Sequence, residues 1–186
     1  MTKDMHKKSY LYRLTHHLRT IFKHHREVRK NCFACGLYRQ GIMHDLSKLS
    51  PAELFPSIKY YEGTRSPYSY EKEKYGSSLG WLHHKGRNKH HWEYWYDIIQ
   101  NKYQPIEMPY KYLIEMVCDR VAACKVYQGD KYSQKTPLEY LLGKHDRFYM
   151  HPNTAKQLEE ILTEIAENGE AATFKRIKNT IKNGNY

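Results

Sequence analysis

No apolar run in this 186-residue chain approaches the ~20 residues that a membrane span requires. The opening stretch MTKDMHKKSYLYRLTHHLRT has no apolar signal core and no cleavage site. Both absences lead to the expectation of a cytoplasmic protein with no membrane partner. The sustained period-two alternation of half-buried strands is missing. So are internal repeats and low-complexity linkers. Cysteine is scarce: Cys32 and Cys35 lie in NCFACG, and Cys118 and Cys124 in VCDRVAACK, all inside apolar helical patterns. The second pair has five residues between its members and no zinc-knuckle turn, which favours four buried thiols over a four-cysteine zinc site. Acidic residues are also short: 20 Asp and Glu against 31 Lys and Arg leave a formal net charge of +11. An excess of that size favours an anionic partner, whether a phosphate, a nucleotide, nucleic acid or an anionic membrane, and charge alone does not choose among them.

What the chain does have is 40% hydrophobic and 27% charged residues, the composition of a globular protein. Its length suits a single domain with a full core, spanning residues 1–186. Its 18 tyrosines supply aromatic area with a polar tip, suited to pockets and half-buried surfaces. The patterning predicts an all-α fold. Helices are expected over 9–35, over 37–48 after the stop at Gly36, and from Ser50-Pro51-Ala52-Glu53, with Ser50 as N-cap, Pro51 at N1 and Glu53 at N3. Residues 62–69 read as a loop. Further helices are expected over 70–83 (broken or bent near Gly76 and Gly80), 89–101, 109–127, 136–143, 154–168 and 170–182, with Asn88 a candidate cap for the helix at Lys89 and Asn153 for the helix at 154.

Several ionisable residues fall where apolar ones are expected. At roughly 100° per residue, Leu11, Leu14, Leu18, Ile21, Phe22, Val28 and Cys32 form one stripe of the first helix, with His25 near its centre and His24 toward its edge. His44 and Asp45 are adjacent in GIMHDLSKLSP, flanked by Ile42, Leu46 and Leu49. Asp119 sits within MVCDRVAAC, beside Met116 and Ala123. Each group is costly to bury alone and is stabilised by a cation. Mixed imidazole and carboxylate donors suit a divalent transition metal (Mn, Fe, Co, Ni or Zn), as one ion or two. A second His-Asp pair, His145-Asp146, lies in a polar stretch without apolar flanks and reads as a decoy. The segment WLHHKGRNKHHWEYW, residues 81–95, adds four histidines in two pairs.

The order His25, His44-Asp45, Asp119 resembles the HD superfamily of metal-dependent phosphohydrolases. The stretch HDLSK is similar to that family's HD-box, with Lys48 three residues past the aspartate. The resemblance implies a helical bundle and hydrolysis of a phosphoester, with a nucleotide as the expected substrate. It implies metal ligands His25, His44, Asp45 and Asp119, with His17 or His24 as alternatives to His25. Box histidines would hold a second ion. His84 and His91, seven residues apart, are preferred there, and His83 and His90 share that spacing. More narrowly, HDLSK, KYYEGTRSP and HHKGRNKHHWEYW look like an uncharacterised bacterial and phage family over about residues 20–145, with 146–186 a helical extension. Catalytic roles are expected for Asp45, Lys48 and His91. Phosphate contacts are expected from Lys48, Lys85, Arg87 and Asn88, and base stacking from Trp81, Trp92, Trp95 or Tyr94. Two other readings are a non-catalytic HD-fold protein binding nucleotide or nucleic acid, and a metal-dependent nuclease of the ββα type, which would need a hairpin before the histidine box.

Overall fold

Helix α1 (Tyr10–Ala34) opens the described part of a computed structural model, which covers residues 8–184. Residues 1–7, the start of the segment read above for a signal core, lie outside it. Then follow α2 (Tyr38–Met43), a 3-10 turn at Leu46–Leu49, α3 (Pro51–Lys59), α4 (Pro67–Tyr75), α5 (Leu79–Arg87), strands β1 (Tyr96–Ile99) and β2 (Lys102–Pro105), α6 (Tyr110–Gln128), α7 (Thr136–Leu142), α8 (Pro152–Asn168) and α9 (Glu170–Lys182). The fold is all-α apart from that one antiparallel hairpin. No helix among the described residues is long and apolar enough to cross a membrane.

The chain forms two compact units, each discontinuous in sequence. The first takes the chain up to Arg26 together with Asp45–Asn88, and the second takes Glu27–His44 and everything from Lys89 onward. They differ in what fills them. The second unit has an ordinary hydrophobic core: Val28, Cys32 and Cys35 of α1 meet Leu113, Ile114, Val117, Cys118 and Val121 of α6, Leu158, Leu162 and Ile165 of α8, and Ile177 of α9. Each fully buried aliphatic side chain there contributes about 1.5–3 kcal/mol. All four cysteines are buried and free, as expected. In the first unit the buried apolar side chains are few, chiefly Ile21, Ile58 and the rings of Tyr60, Tyr61 and Tyr68. Its interior instead holds His17, His24, Asp45, Glu53, Ser57, Glu62, Ser78, His84 and Asn88. A polar interior of this kind is stable only where its groups are hydrogen-bonded to one another.

Several boundaries differ from the sequence pattern. The helix expected over 37–48 breaks at the His-Asp pair: α2 stops at Met43, and Asp45 takes a left-handed backbone with φ 54° and ψ 20°. Aspartate tolerates that region better than most residues. Gly41 allows α2 to lie close on α1, since a Cβ there would sit 3.0 Å from the Cys32 Cβ and 3.1 Å from the Phe33 ring. The break expected near Gly76 is present, and it separates two helices that start and end outside 70–83, α4 and α5. The helix expected over 89–101 does not form. Its place is taken by a 3-10 turn at Trp92–Tyr94 and the hairpin, whose two-residue turn Gln100-Asn101 has φ 50° and 60°, the signs of a type I′ turn. Asn88 therefore caps the C-terminus of α5, not the start of a helix. His151, not Asn153, caps α8.

Candidate metal centre

Four side chains of the second unit form a compact ionisable cluster. His44 follows the end of α2, His90 lies in the segment after α5, and Glu115 and Asp119 are one turn apart on α6. Glu115 is buried although α6 is apolar almost all round, so its carboxylate needs donors. It has two: Nδ1 of His44 at 3.0 Å and Nδ1 of His90 at 3.2 Å, both on Oε1. Burial pushes the Glu115 carboxyl up, but the hydrogen bonds and charges of His44 and His90 outweigh it and hold the group below its ordinary value.

A carboxylate only accepts, so each Nδ1 is an N–H donor; with both imidazoles neutral, as metal ligands must be, each Nε2 presents the lone pair. Those two Nε2 atoms face Asp119: His44 Nε2 is 3.9 Å from Oδ1 and His90 Nε2 is 3.7 Å from Oδ2. The rings lie 4.4 Å apart. Imidazole lone pairs turned toward a carboxylate repel it unless a cation intervenes. Two donors held about 2.0–2.3 Å from one ion lie roughly 3–4.5 Å apart, and the observed separations fall in that range. His44, His90 and Glu115 have ligand atoms close enough for one ion. The Nδ1 bonds make Glu115 better suited to orient the two imidazoles, leaving Asp119 to face the ion. Asp119 is 19% exposed, which gives the cluster access to water. The donor set therefore fits a divalent transition metal.

The first unit repeats part of this pattern. Glu53, expected to close a capping box with Ser50, is fully buried instead, and Ser50 makes no side-chain cap bond. Its carboxylate accepts from Nδ1 of His83 and Nδ1 of His84, each at 2.7 Å, and from the Tyr68 hydroxyl at 3.0 Å. Burial pushes this carboxyl up, but the bonds and charge of His84 and then the bond from His83 bring it down to about 2. Nε2 of His84 lies 3.4 Å from Oδ1 of Asp45, and Lys48 pairs with Oδ2 at 2.7 Å. The Asn88 amide donates to Ser47 Oγ and to the His84 carbonyl, each at 2.8 Å. It thus braces the α5 C-terminus.

The predicted residues are distributed as follows. His44 and Asp119 come together in the second unit, and Asp45, Lys48 and His84 in the first. The left-handed backbone at Asp45 turns adjacent side chains to different partners. On α1 the buried stripe runs through His17, Ile21, His24, Val28 and Cys32; His24 is buried and His25 only half-buried, while Leu11 and Phe22 face solvent. The stripe was drawn about one position off. Of the second histidine pair, His90 is the buried member. His91 is half-buried, its ring 4.2 Å from that of His90. Lys85 is half-buried and Arg87 exposed. Trp92 and Trp95 pack on the core of the second unit, and Lys72 sits 4.4 Å from the Trp81 ring centre. His145 is exposed, and Asp146 lies 4.0 Å from the Arg120 guanidinium. Among the described residues, no group with metal-holding spacing includes this pair or any cysteine. Glu53 and Glu115 went unread in the sequence. A charged residue inside the apolar run YLIEMVC was the available signal for Glu115, and the capping-box pattern concealed Glu53.

No curated protein and no solved structure matches the chain. A family model does, over residues 13–164, which takes in every residue of both ionisable clusters. The chain thus belongs to DUF5662, a family of unknown function.

Proposed function

We propose that this protein is a metal-dependent phosphohydrolase acting on a nucleotide or a similar phosphoester. The observation that carries the proposal is the pair of imidazoles fixed by Glu115 with both Nε2 atoms turned to Asp119. His44, His90 and Asp119 would hold the ion. A divalent ion bound there supplies Lewis acidity and activates water for attack at phosphorus. Glu115 keeps both Nδ1 atoms protonated, so that both Nε2 atoms remain donors to the ion. His91, beside His90 and half-buried, would give a proton to a leaving oxygen through a ring nitrogen. The similarity of HDLSK and of the histidine box to HD phosphohydrolases supports phosphoester as the substrate class.

The test is a screen of phosphomonoesters, linear dinucleotides and cyclic nucleotides with protein loaded with Mn or Zn. Turnover of one class, abolished by EDTA and by Asp119→Asn, is the expected result. Metal-loaded, folded protein that turns over none of the three classes would refute the proposal.

A further inference from the structure

Charge in the second unit is segregated. Helix α8 carries Glu159, Glu160, Glu164 and Glu167 on one side. Arg176 of α9 is turned to it, with its guanidinium on the Glu164 carboxylate. The other cations of α9 point elsewhere. Lys175, Lys178 and Lys182 are exposed and spaced three and four apart, so they share a face. The Lys178 stem lies over the turn that ends α1, its Cγ 3.3 Å from the position a Cβ would take at Gly36. Exposed Arg29 and Lys30 precede that turn on α1, and exposed Arg39 follows it on α2. Six exposed cations thus lie on α9 and on the two helices joined by that turn. Among them Tyr38 is 53% exposed, its ring 5.3 Å from that of Phe33 in an edge arrangement.

We propose that this face binds single-stranded nucleic acid through its phosphodiester backbone, with Tyr38 as a stacking platform for a base. It is separate from the residues of the metal centre, and its test does not depend on the proposed hydrolysis. Three features select the partner. The cations lie on three helices, with no carboxylate on the shared face of α9, which suits a polyanion. The exposed tyrosine suits an unpaired base. An anionic membrane fits less well, because on α9, which carries three of the cations, the large apolar side chains Phe174 and Ile177 are buried in the core and do not accompany the lysines to the surface.

Fluorescence anisotropy with a labelled 20-nucleotide single strand and with its duplex, in EDTA, tests the proposal. If four of the cations engage phosphates, affinity for the strand should fall about 50-fold between ~50 and ~200 mM salt. A triple variant, Arg29→Glu with Lys178→Glu and Lys182→Glu, should weaken binding by at least about tenfold and flatten the salt slope. A control of equal net charge, Lys74→Glu with Lys111→Glu and Lys144→Glu, should bind nearly as the parent does. Tyr38→Ala should weaken the single strand and spare the duplex. Circular dichroism checks that every variant is folded. Absence of binding at ~50 mM salt would overturn the proposal. So would equal loss in the control, or tighter binding to the duplex. Binding to phosphatidylserine vesicles but not to the strand would place the partner in a different class. Salt-sensitive self-association removed by Glu160→Lys with Glu167→Lys would make it a second copy of this chain; either result rejects the nucleic-acid assignment.

Discussion

Replacing Glu115 separates its two tasks. Its Oε1 accepts from His44 at 3.0 Å and from His90 at 3.2 Å, in surroundings where both imidazoles are almost fully buried. Glu115→Ala removes the acceptor from two buried N–H groups. Each unsatisfied group costs about 1–3 kcal/mol, so a loss of roughly 2–5 kcal/mol in unfolding free energy is expected. Glu115→Gln keeps an oxygen at the same reach and removes the charge. The fold should survive with a smaller loss of about 1 kcal/mol, because charge-assisted bonds become neutral ones. Metal affinity should fall about 10–100-fold, the usual effect of altering a carboxylate that orients ligating histidines. The pH dependence has a definite sign. The folded carboxyl lies below its ordinary value, so its contribution is present above the unfolded value near 4.5 and is lost as pH falls through the folded one. Urea unfolding gives the stabilities, and competition with a chromophoric chelator gives the metal affinities. If Glu115→Gln folds and binds metal as tightly as the parent, the orienting role is wrong. If Glu115→Ala is as stable as the parent, the buried pairing is wrong.

Other perturbations have equally definite outcomes. Glu53→Ala deprives His83, His84 and Tyr68 of their shared acceptor and should cost roughly 3–5 kcal/mol by urea unfolding, whereas no loss would contradict the polar interior of the first unit. His17 is buried, and burial followed by the positive charge of Lys48 lowers its imidazole to about 4. The unfolded chain therefore binds a proton between about 6.5 and 4 that the folded chain does not. Stability should fall by roughly 3 kcal/mol across that window as pH drops, and His17→Leu should remove this share of the acid sensitivity in melts at pH 7 and pH 4.5. Asp45→Asn keeps a residue that tolerates the left-handed backbone and removes the charge that Lys48 pairs with, so the fold should persist with a loss of about 1 kcal/mol by urea unfolding. Asp146→Asn should change turnover less than about twofold, and a larger loss would show that the second His-Asp pair had been misjudged.

The helices were legible where amphipathic pattern and end signals agreed. Gly36 ended α1, Pro51 opened α3, and the apolar run of α6 was plain. The hairpin was not legible, because its strands are four residues each and its turn is Gln-Asn rather than a glycine-containing pair. At the candidate centre, His44 and Asp119 stood out as ionisable residues within apolar surroundings, the mark of a group that needs a partner. The phase of α1 was harder to read. One helical position separates His24 from His25, and exposed Phe22 and Leu11 pulled the apparent stripe toward the wrong residue. Glu53 obeyed a capping-box pattern, a local rule that tertiary hydrogen bonds to His83 and His84 overrode. The spacing behind His91 was read through a helix that ends at Arg87; in the extended segment after it His90 is the more buried of the pair, and both His90 and His91 have ligand atoms at metal-holding spacing.

Metal stoichiometry measured by elemental mass spectrometry on purified protein, with His44→Ala, His90→Ala and Asp119→Asn alongside, tests the account most directly. The account predicts at least one transition-metal ion per chain in the parent after loading and dialysis. It predicts clear loss in each variant, with circular dichroism unchanged. A folded parent that retains no Mn, Fe, Co, Ni or Zn, or a His44→Ala/Asp119→Asn double variant that retains the full complement, would contradict it.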